Sequence, residues 1–144
     1  MSELATRIED LKKLDSSIDQ IVIDLIKDNE KLVIKMNLAN LNSGINNKSE
    51  KLVPPYRPST VKRKKRKGQP FNRVTLKDEG DFHEGFFVEY GEDEFSLQGD
   101  DPKTRYLIRK YGNDIFGLTE ENIDELKNKI RERLTEEIKK RILK

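Results

Sequence analysis

The chain has 144 residues, which is enough for one domain with one core and too few for a large enzyme with a deep cleft. Charged residues make up 39% of it and hydrophobic residues 33%, so an isolated copy would have a thin core; this composition fits either partial disorder or a subunit completed by its neighbours. The formal net charge is only +2, and the absence of Cys excludes a disulfide framework and a thiolate metal site.

The first residues, MSELATRIEDLKKLD, mix acidic with apolar side chains and lack the apolar core of a signal peptide. No stretch of the sequence is apolar over the length needed to cross a bilayer. We therefore expect a soluble protein inside a cell, or one assembled there, without a membrane partner.

Two apolar stripes at helical spacing occupy the first third of the chain. The first consists of Leu4, Ile8, Leu11 and Leu14. The second runs from Ile18 to Ala39, after Asp15-Ser16-Ser17, which are helix-capping residue types. The pattern predicts a short helix and then a long one from about Ile18 to Leu41, stopped near Gly44. The β-branched runs on either side of residues 27–30 also allow a hairpin, but the stripe that continues across them favours a helix.

Residues 45–73 are predicted to be a Pro-rich and basic loop. Pro54, Pro55 and Pro58 interrupt helices and favour extended backbone. Six consecutive basic residues follow them: Lys62, Arg63, Lys64, Lys65, Arg66 and Lys67.

Residues 74–99 have the alternation that is typical of strands. VTLK at 74–77 alternates apolar and polar residues, and the following Asp78 and Gly80 suit an Asx-type turn with positive φ at the glycine. The segments FFVEY and FSLQ flank Gly91 and acidic turn residues. We predict a β-hairpin over about Gly85–Gln98.

Two helices are predicted in residues 100–144. The first follows Asp100-Asp101-Pro102 and ends at Gly112. The second has Thr119 as cap, acidic residues in its first turn and an apolar stripe from Ile123 to Ile142. With helices over residues 1–44, the chain is expected to form a single α+β domain, 1–144, with a small antiparallel sheet between its helical ends.

The sequence offers no catalytic pattern. His83 is its only histidine, so a zinc site or a Ser-His-Asp arrangement is not supported, and we expect it to be an exposed turn or strand residue. No cation-binding loop matches the spacing of Asp78, Asp81, Asp100 and Asp101. The glycines form no phosphate-binding motif. We predict no enzymatic activity, no cofactor and no metal.

Charges are segregated along the chain. Between Arg57 and Arg73 every ionisable side chain is basic, and between Asp78 and Asp101 every one except His83 is acidic. The basic run therefore has three interpretations: a solvated loop, a contact with nucleic acid whose affinity falls with salt, or one side of a contact between subunits.

Three short motifs follow one another in a recognisable order. The first contains Tyr56, Thr60 and Lys64; the second contains Leu76, Asp78, Gly80 and Phe82; the third contains Phe116, Gly117, Leu118 and Thr119. With the preceding helix and the intervening hairpin, they resemble the phage virion-morphogenesis or tail-completion family over about Tyr56–Ile130. Glu79 stands where that family usually has Thr, Phe82 replaces Leu, and a Tyr-Ala-x-x-His-x-x-Gly stretch is missing.

The resemblance implies a structural subunit of a tailed-phage virion, at the head–tail connector, neck or tail-completion ring, assembled in the bacterial host cytoplasm. Its implied partners are other copies of itself in a cyclic oligomer and neighbouring connector, portal or tail proteins, with nucleic acid present only as DNA in passage. The alternative is a small nucleic-acid-binding protein that uses Lys62–Lys67.

A ring gives the segregated charges a mechanism. Each subunit of a ring offers different surfaces to its two neighbours, so a basic arm can contact an acidic hairpin of the next copy. We expect Lys62–Lys67 to be this arm and its counterpart to be Glu89, Glu92, Asp93 and Glu94. The motif residues are expected to define the fold.

Overall fold

The computed structural model describes residues 18–78 and 80–142, without the side chains of residues 141 and 142. Within these residues the fold has six helices and one antiparallel β-hairpin, which is the predicted α+β class. In chain order the elements are α1 (residues 18–28), α2 (Glu30–Asn42), α3 (Pro58–Arg66), α4 (Asp81–Glu84), β1 (Phe86–Tyr90), β2 (Phe95–Gly99), α5 (Thr104–Tyr111), the 3-10 turn η1 (Asn113–Ile115) and α6 (Glu120–Ile142). The short helix predicted before Asp15 lies outside the described residues.

The predicted long helix is present but is interrupted at Asn29, which separates α1 from α2. The Asn29 side chain donates from Nδ2 to the Leu25 carbonyl at 2.8 Å, so it competes with the regular backbone bonding of a helix. The next helix starts at once, because Val33 N–H donates to the Asn29 carbonyl at 3.0 Å. The alternative of a hairpin here is wrong.

The loop predicted for residues 45–73 is wrong in its second half, which contains α3. Pro58 is the first residue of this helix, a position where its fixed φ suits the helix and its missing N–H costs no hydrogen bond. Arg57 before it is extended, at φ −66° and ψ 152°, as a residue before proline prefers. Pro58 therefore begins a helix, and most of the basic run is helical.

The strand predicted at residues 74–77 is also wrong, because their backbone is bonded by a side chain and not by a neighbouring strand. The Tyr56 hydroxyl accepts from Thr75 N–H at 3.0 Å and from Leu76 N–H at 3.3 Å. Gly80 has φ +98°, the predicted positive value, and leads into the one-turn helix α4, which was not predicted.

The predicted β-hairpin is confirmed. Strands β1 and β2 pair antiparallel with Val88 opposite Leu97, and both side chains face the core while Phe87 and Glu89 point outward. The tip of the hairpin closes where Gly91 N–H donates to the Glu94 carbonyl at 2.8 Å. These contacts fix which residues of the acidic stretch lie at the tip.

The two C-terminal helices are confirmed. Helix α5 begins at Thr104 and not at Pro102, because the Asp101 carboxylate accepts from Lys103 N–H at 2.8 Å and forms a turn there. Helix α6 is capped as predicted: Thr119 Oγ1 accepts from Asn122 N–H at 3.2 Å, and Asn122 Oδ1 accepts from Thr119 N–H at 3.1 Å.

The core consists of two clusters that meet at Phe116. One contains the apolar residues of α1, α6 and the inner face of the hairpin, including Leu25, Val88 and Leu126. The other surrounds the end of α2 and the loops, and the Phe116 ring centroid lies 5.0 Å from that of Phe86 within it. No described helix is both long and apolar enough to span a membrane.

A buried asparagine holds the third motif in place. Asn37 in α2 is 1% exposed; its Nδ2 donates to the Ile115 carbonyl at 3.0 Å, and its Oδ1 accepts from Gly117 N–H at 2.8 Å. Gly117 has φ +128°, a conformation that side-chain-bearing residues rarely adopt. These bonds position Phe116 and Leu118 directly before α6.

Candidate functional site

Helix α3 divides the basic run into two faces. Arg63, Lys64 and Lys67 recur at helical spacing on the side that contacts residues 77–78, and we call them the inner face. Lys62, Lys65 and Arg66 also share a side by spacing, are exposed, and form the outer face. The predicted arm of six equivalent cations is therefore corrected to two sets of three.

Lys64 is a structural residue. It is only 2% exposed, and its Nζ donates to the Lys77 carbonyl at 2.6 Å and to Gln69 Oε1 at 3.4 Å. The same Nζ lies 4.9 Å from the centre of the Tyr56 ring, a favourable cation–π distance. Because its ammonium is enclosed within the chain, Lys64 is not free to contact another molecule, contrary to the expectation from sequence.

The other two inner cations hold Asp78. Lys67 Nζ lies 3.3 Å from Asp78 Oδ1, and the Arg63 guanidinium lies 4.0 Å from the same oxygen. Partial desolvation alone would raise the pKa of Asp78. The hydrogen bond and charge of Lys67, with the charges of Arg63 and Lys64, outweigh it and lower that pKa below its ordinary value.

The outer face remains exposed. No carboxylate among residues 18–78 and 80–140 lies in an ion pair with Lys62, Lys65 or Arg66. Lys65 Nζ lies 4.7 Å from the centre of the Phe71 ring, which is itself 42% exposed. This face can therefore meet a negatively charged partner.

The predicted acidic counterpart is exposed as well, at the far end of the hairpin. Glu92, Asp93 and Glu94 are exposed, and we call them the acidic tip. Glu89 sits on the outward face of β1, where Gln98 Nε2 donates to it. In the part of the chain that the structure describes, no cation pairs with the acidic tip. The basic run and its predicted counterpart do not meet within one chain, and their contact between chains stays a prediction.

The first two motifs converge on one cleft. It has a volume of about 250 Å³ and lies between α3, the 76–82 segment and α5. Every residue quoted for these motifs lines it: Tyr56, Thr60, Lys64, Leu76, Asp78, Gly80 and Phe82. Motifs twelve or more residues apart in sequence thus form one structural unit.

His83 is buried beside this cleft, which corrects the expectation of an exposed residue. It is 8% exposed, and its Nε2 donates to the Thr75 carbonyl at 2.9 Å, since a carbonyl oxygen can only accept. Burial lowers the pKa of His83; the bond to Thr75 opposes this shift, and the charges of Lys77 and Lys64 reinforce it. His83 is therefore neutral near pH 7 and stabilises the 75–83 segment.

A large apolar groove elsewhere on the fold was not predicted. It has a volume of about 790 Å³ and is lined by residues of α1, β2, α5, η1, the third motif and α6, among them Val22, Phe95, Leu97, Phe116, Leu118 and Ile123. Two features are consistent with this groove. The sequence has a low content of hydrophobic residues, and Ile123 of the α6 stripe is 39% exposed in the structure. Sequence periodicity could not show that segments distant in the chain leave a groove between them.

Within the described residues, no group of three or more His, Asp or Glu side chains is placed to hold a metal ion. Comparisons of the chain with protein-family models, with curated proteins and with solved structures found no match.

Proposed function

We propose that the protein is a structural subunit of a tailed-phage virion that acts through contacts with copies of itself and with neighbouring connector, portal or tail proteins. One observation carries the proposal: the outer face and the acidic tip are exposed, opposite in charge, and unpaired with each other within the described residues. Different surfaces that complement each other on successive copies generate a ring or a filament. Arrays of opposite charge orient such an encounter.

The assignment to the neck or tail-completion ring rests on the three motifs. Its support from the fold is their placement, because the first two line one cleft and the third links the core to α6. Residues that serve a shared fold are expected to cluster in this way. Immunogold labelling of purified virions should locate the protein at the neck, and its absence from virions would contradict the phage assignment.

The assembly proposal is tested by reversing the outer face. The variant Lys62→Glu, Lys65→Glu, Arg66→Glu should lower the molar mass measured by light scattering from an oligomer to a monomer, while the circular dichroism spectrum stays that of a folded protein. A matched control with the same change in charge at other exposed positions is Lys35→Glu, Arg105→Glu, Lys139→Glu. A wild-type monomer, or an oligomer that the first variant leaves intact, would contradict self-assembly.

A second function is favoured by one observation, that three exposed cations share one side of a helix and can follow a phosphate backbone. This nucleic-acid alternative predicts a DNA affinity whose logarithm falls with the logarithm of salt concentration at a slope of about −2.7 for three phosphate contacts. A gel-shift titration at two salt concentrations measures it. A monomer that binds DNA with this slope would replace the assembly proposal.

A further inference from the structure

An exposed apolar knob lies beside the outer face. Val53 is 62% exposed, Pro54 and Pro55 follow it at the surface, and Phe71 is 42% exposed. Pro55 and Phe71 border the same small hollow, and Val53 and Pro54 directly precede Pro55 in the chain. We call residues 53–55 and Phe71 the knob. Apolar side chains that are exposed together mark an interaction surface more often than isolated ones do.

The knob and the groove are separate places on the molecule. None of the knob residues lines the groove, which is built by α1, β2, α5, η1, the third motif and α6. The groove volume of about 790 Å³ lies within the roughly 300–1,000 Å³ of pockets that enclose a bound group, so it can admit several side chains. The exposed apolar side chains of the knob could therefore be covered by the apolar lining of the groove.

The charges around the two surfaces are complementary. Lys65 of the outer face lies against Phe71 of the knob, with Nζ 4.7 Å from the ring centre. The acidic tip ends at Glu94, directly before Phe95, which lines the groove. One cation, Lys127, also lines the groove in the described part of the chain. A knob bordered by cations can therefore enter a groove whose hairpin end is acidic.

We infer that the groove of one copy receives the knob of the next, in a head-to-tail contact that brings the outer face onto the acidic tip. This inference rests on the proposed function and specifies its interface. The occupant of the groove is a second copy of this chain. The knob of that copy offers apolar side chains for the groove, and the cations beside the knob would face the acidic tip. Since knob and groove lie at different places, the contact repeats around a ring or along a filament.

Cysteine cross-linking tests this contact directly, because the chain has no native Cys. A mixture of Val53→Cys and Ile123→Cys chains, treated with a short thiol-to-thiol cross-linker, should give a covalent dimer that neither variant gives alone. A chain carrying both substitutions should give a ladder whose top band is the ring. Tyr106→Cys is the matched control for Val53→Cys, because Tyr106 is 59% exposed and lines the other cleft; mixed with Ile123→Cys it should give no dimer.

Loss of affinity provides a second measurement. Val53→Asp should weaken self-association by roughly tenfold or more, since it removes a buried apolar side chain from the contact, whereas Tyr106→Asp should not. If the wild-type protein is an oligomer but shows no cross-link and tolerates Val53→Asp, the knob and groove do not pair and the proposed function stands. If the wild-type protein is a monomer at high concentration, both the inference and the proposed function fail.

Discussion

Lys64 and Lys65 are neighbours in the sequence with opposite roles in the structure. Lys64 belongs to a closed region, the cleft of the first two motifs, where its Nζ is bonded to the Lys77 carbonyl and stacked on Tyr56. Lys65 belongs to the exposed outer face, where its Nζ lies 4.7 Å from the centre of the Phe71 ring. The difference teaches that a run of like charges is not one functional unit, since a helix turns neighbouring residues to different sides and here buries Lys64 while Lys65 stays exposed.

Reversing the charge of Lys64 or of Lys65 should give the largest difference in the free energy of unfolding between two variants. Lys64→Glu places a carboxylate against carbonyl oxygens in a buried site, so we expect the free energy of unfolding to fall by about 3 kcal/mol or more. Lys65→Glu is exposed and should change it by less than about 0.5 kcal/mol. Urea denaturation measures both. Equal decreases in the free energy of unfolding would mean that Lys64 does not make the buried contacts described above.

Removing the hydroxyl of Tyr56 tests the same closed region and should have a smaller effect on stability. Tyr56→Phe leaves the N–H groups of Thr75 and Leu76 without their acceptor, which should destabilise the protein by about 1–2 kcal/mol. Tyr106→Phe removes a hydroxyl from a side chain that is 59% exposed, and should have little effect. The melting temperatures of the two variants measure this difference in stability. If Tyr56→Phe is as stable as Tyr106→Phe, the 74–77 segment is held by other contacts.

The smallest expected effect is a dependence of stability on pH through His83. Its pKa is lower in the folded protein than in the unfolded chain, so the unfolded chain binds more protons as pH falls. Stability is therefore complete above the unfolded pKa of about 6.5 and decreases as pH drops through it toward the lower folded value. His83→Gln keeps an Nε2 donor for the Thr75 carbonyl and should flatten the profile between about pH 7 and pH 5.5. An unchanged slope would place the titrating group elsewhere.

Elements defined by local patterns were predicted from sequence. Helix α6, its Thr119 cap and the turn between β1 and β2 each depend on residues a few positions apart, and all are confirmed. Helix α3 was missed because Pro58 was interpreted as a helix breaker, although proline is favourable at the first helical position. Asn29 was counted inside a continuous helix because the apolar stripe passes it on both sides.

Features that depend on distant residues were not predicted. The burial of Lys64 requires the carbonyl of Lys77, and that of His83 requires the carbonyl of Thr75, neither of which a charge pattern reveals. The groove needs α1, β2 and α6 to be placed together. The turn at Gly91, Glu92 and Asp93 was predicted correctly, because turn chemistry is local.

The most direct test of head-to-tail contact is a charge exchange between two variants. One carries Lys62→Glu, Lys65→Glu and Arg66→Glu; the other carries Glu92→Lys, Asp93→Lys and Glu94→Lys. Each alone has like charges on both surfaces and should be monomeric, whereas an equimolar mixture restores opposite charges at each contact between the two different variants. Light scattering should therefore show an oligomer only in the mixture. Two variants that stay monomeric when mixed, or that assemble separately, would contradict the account.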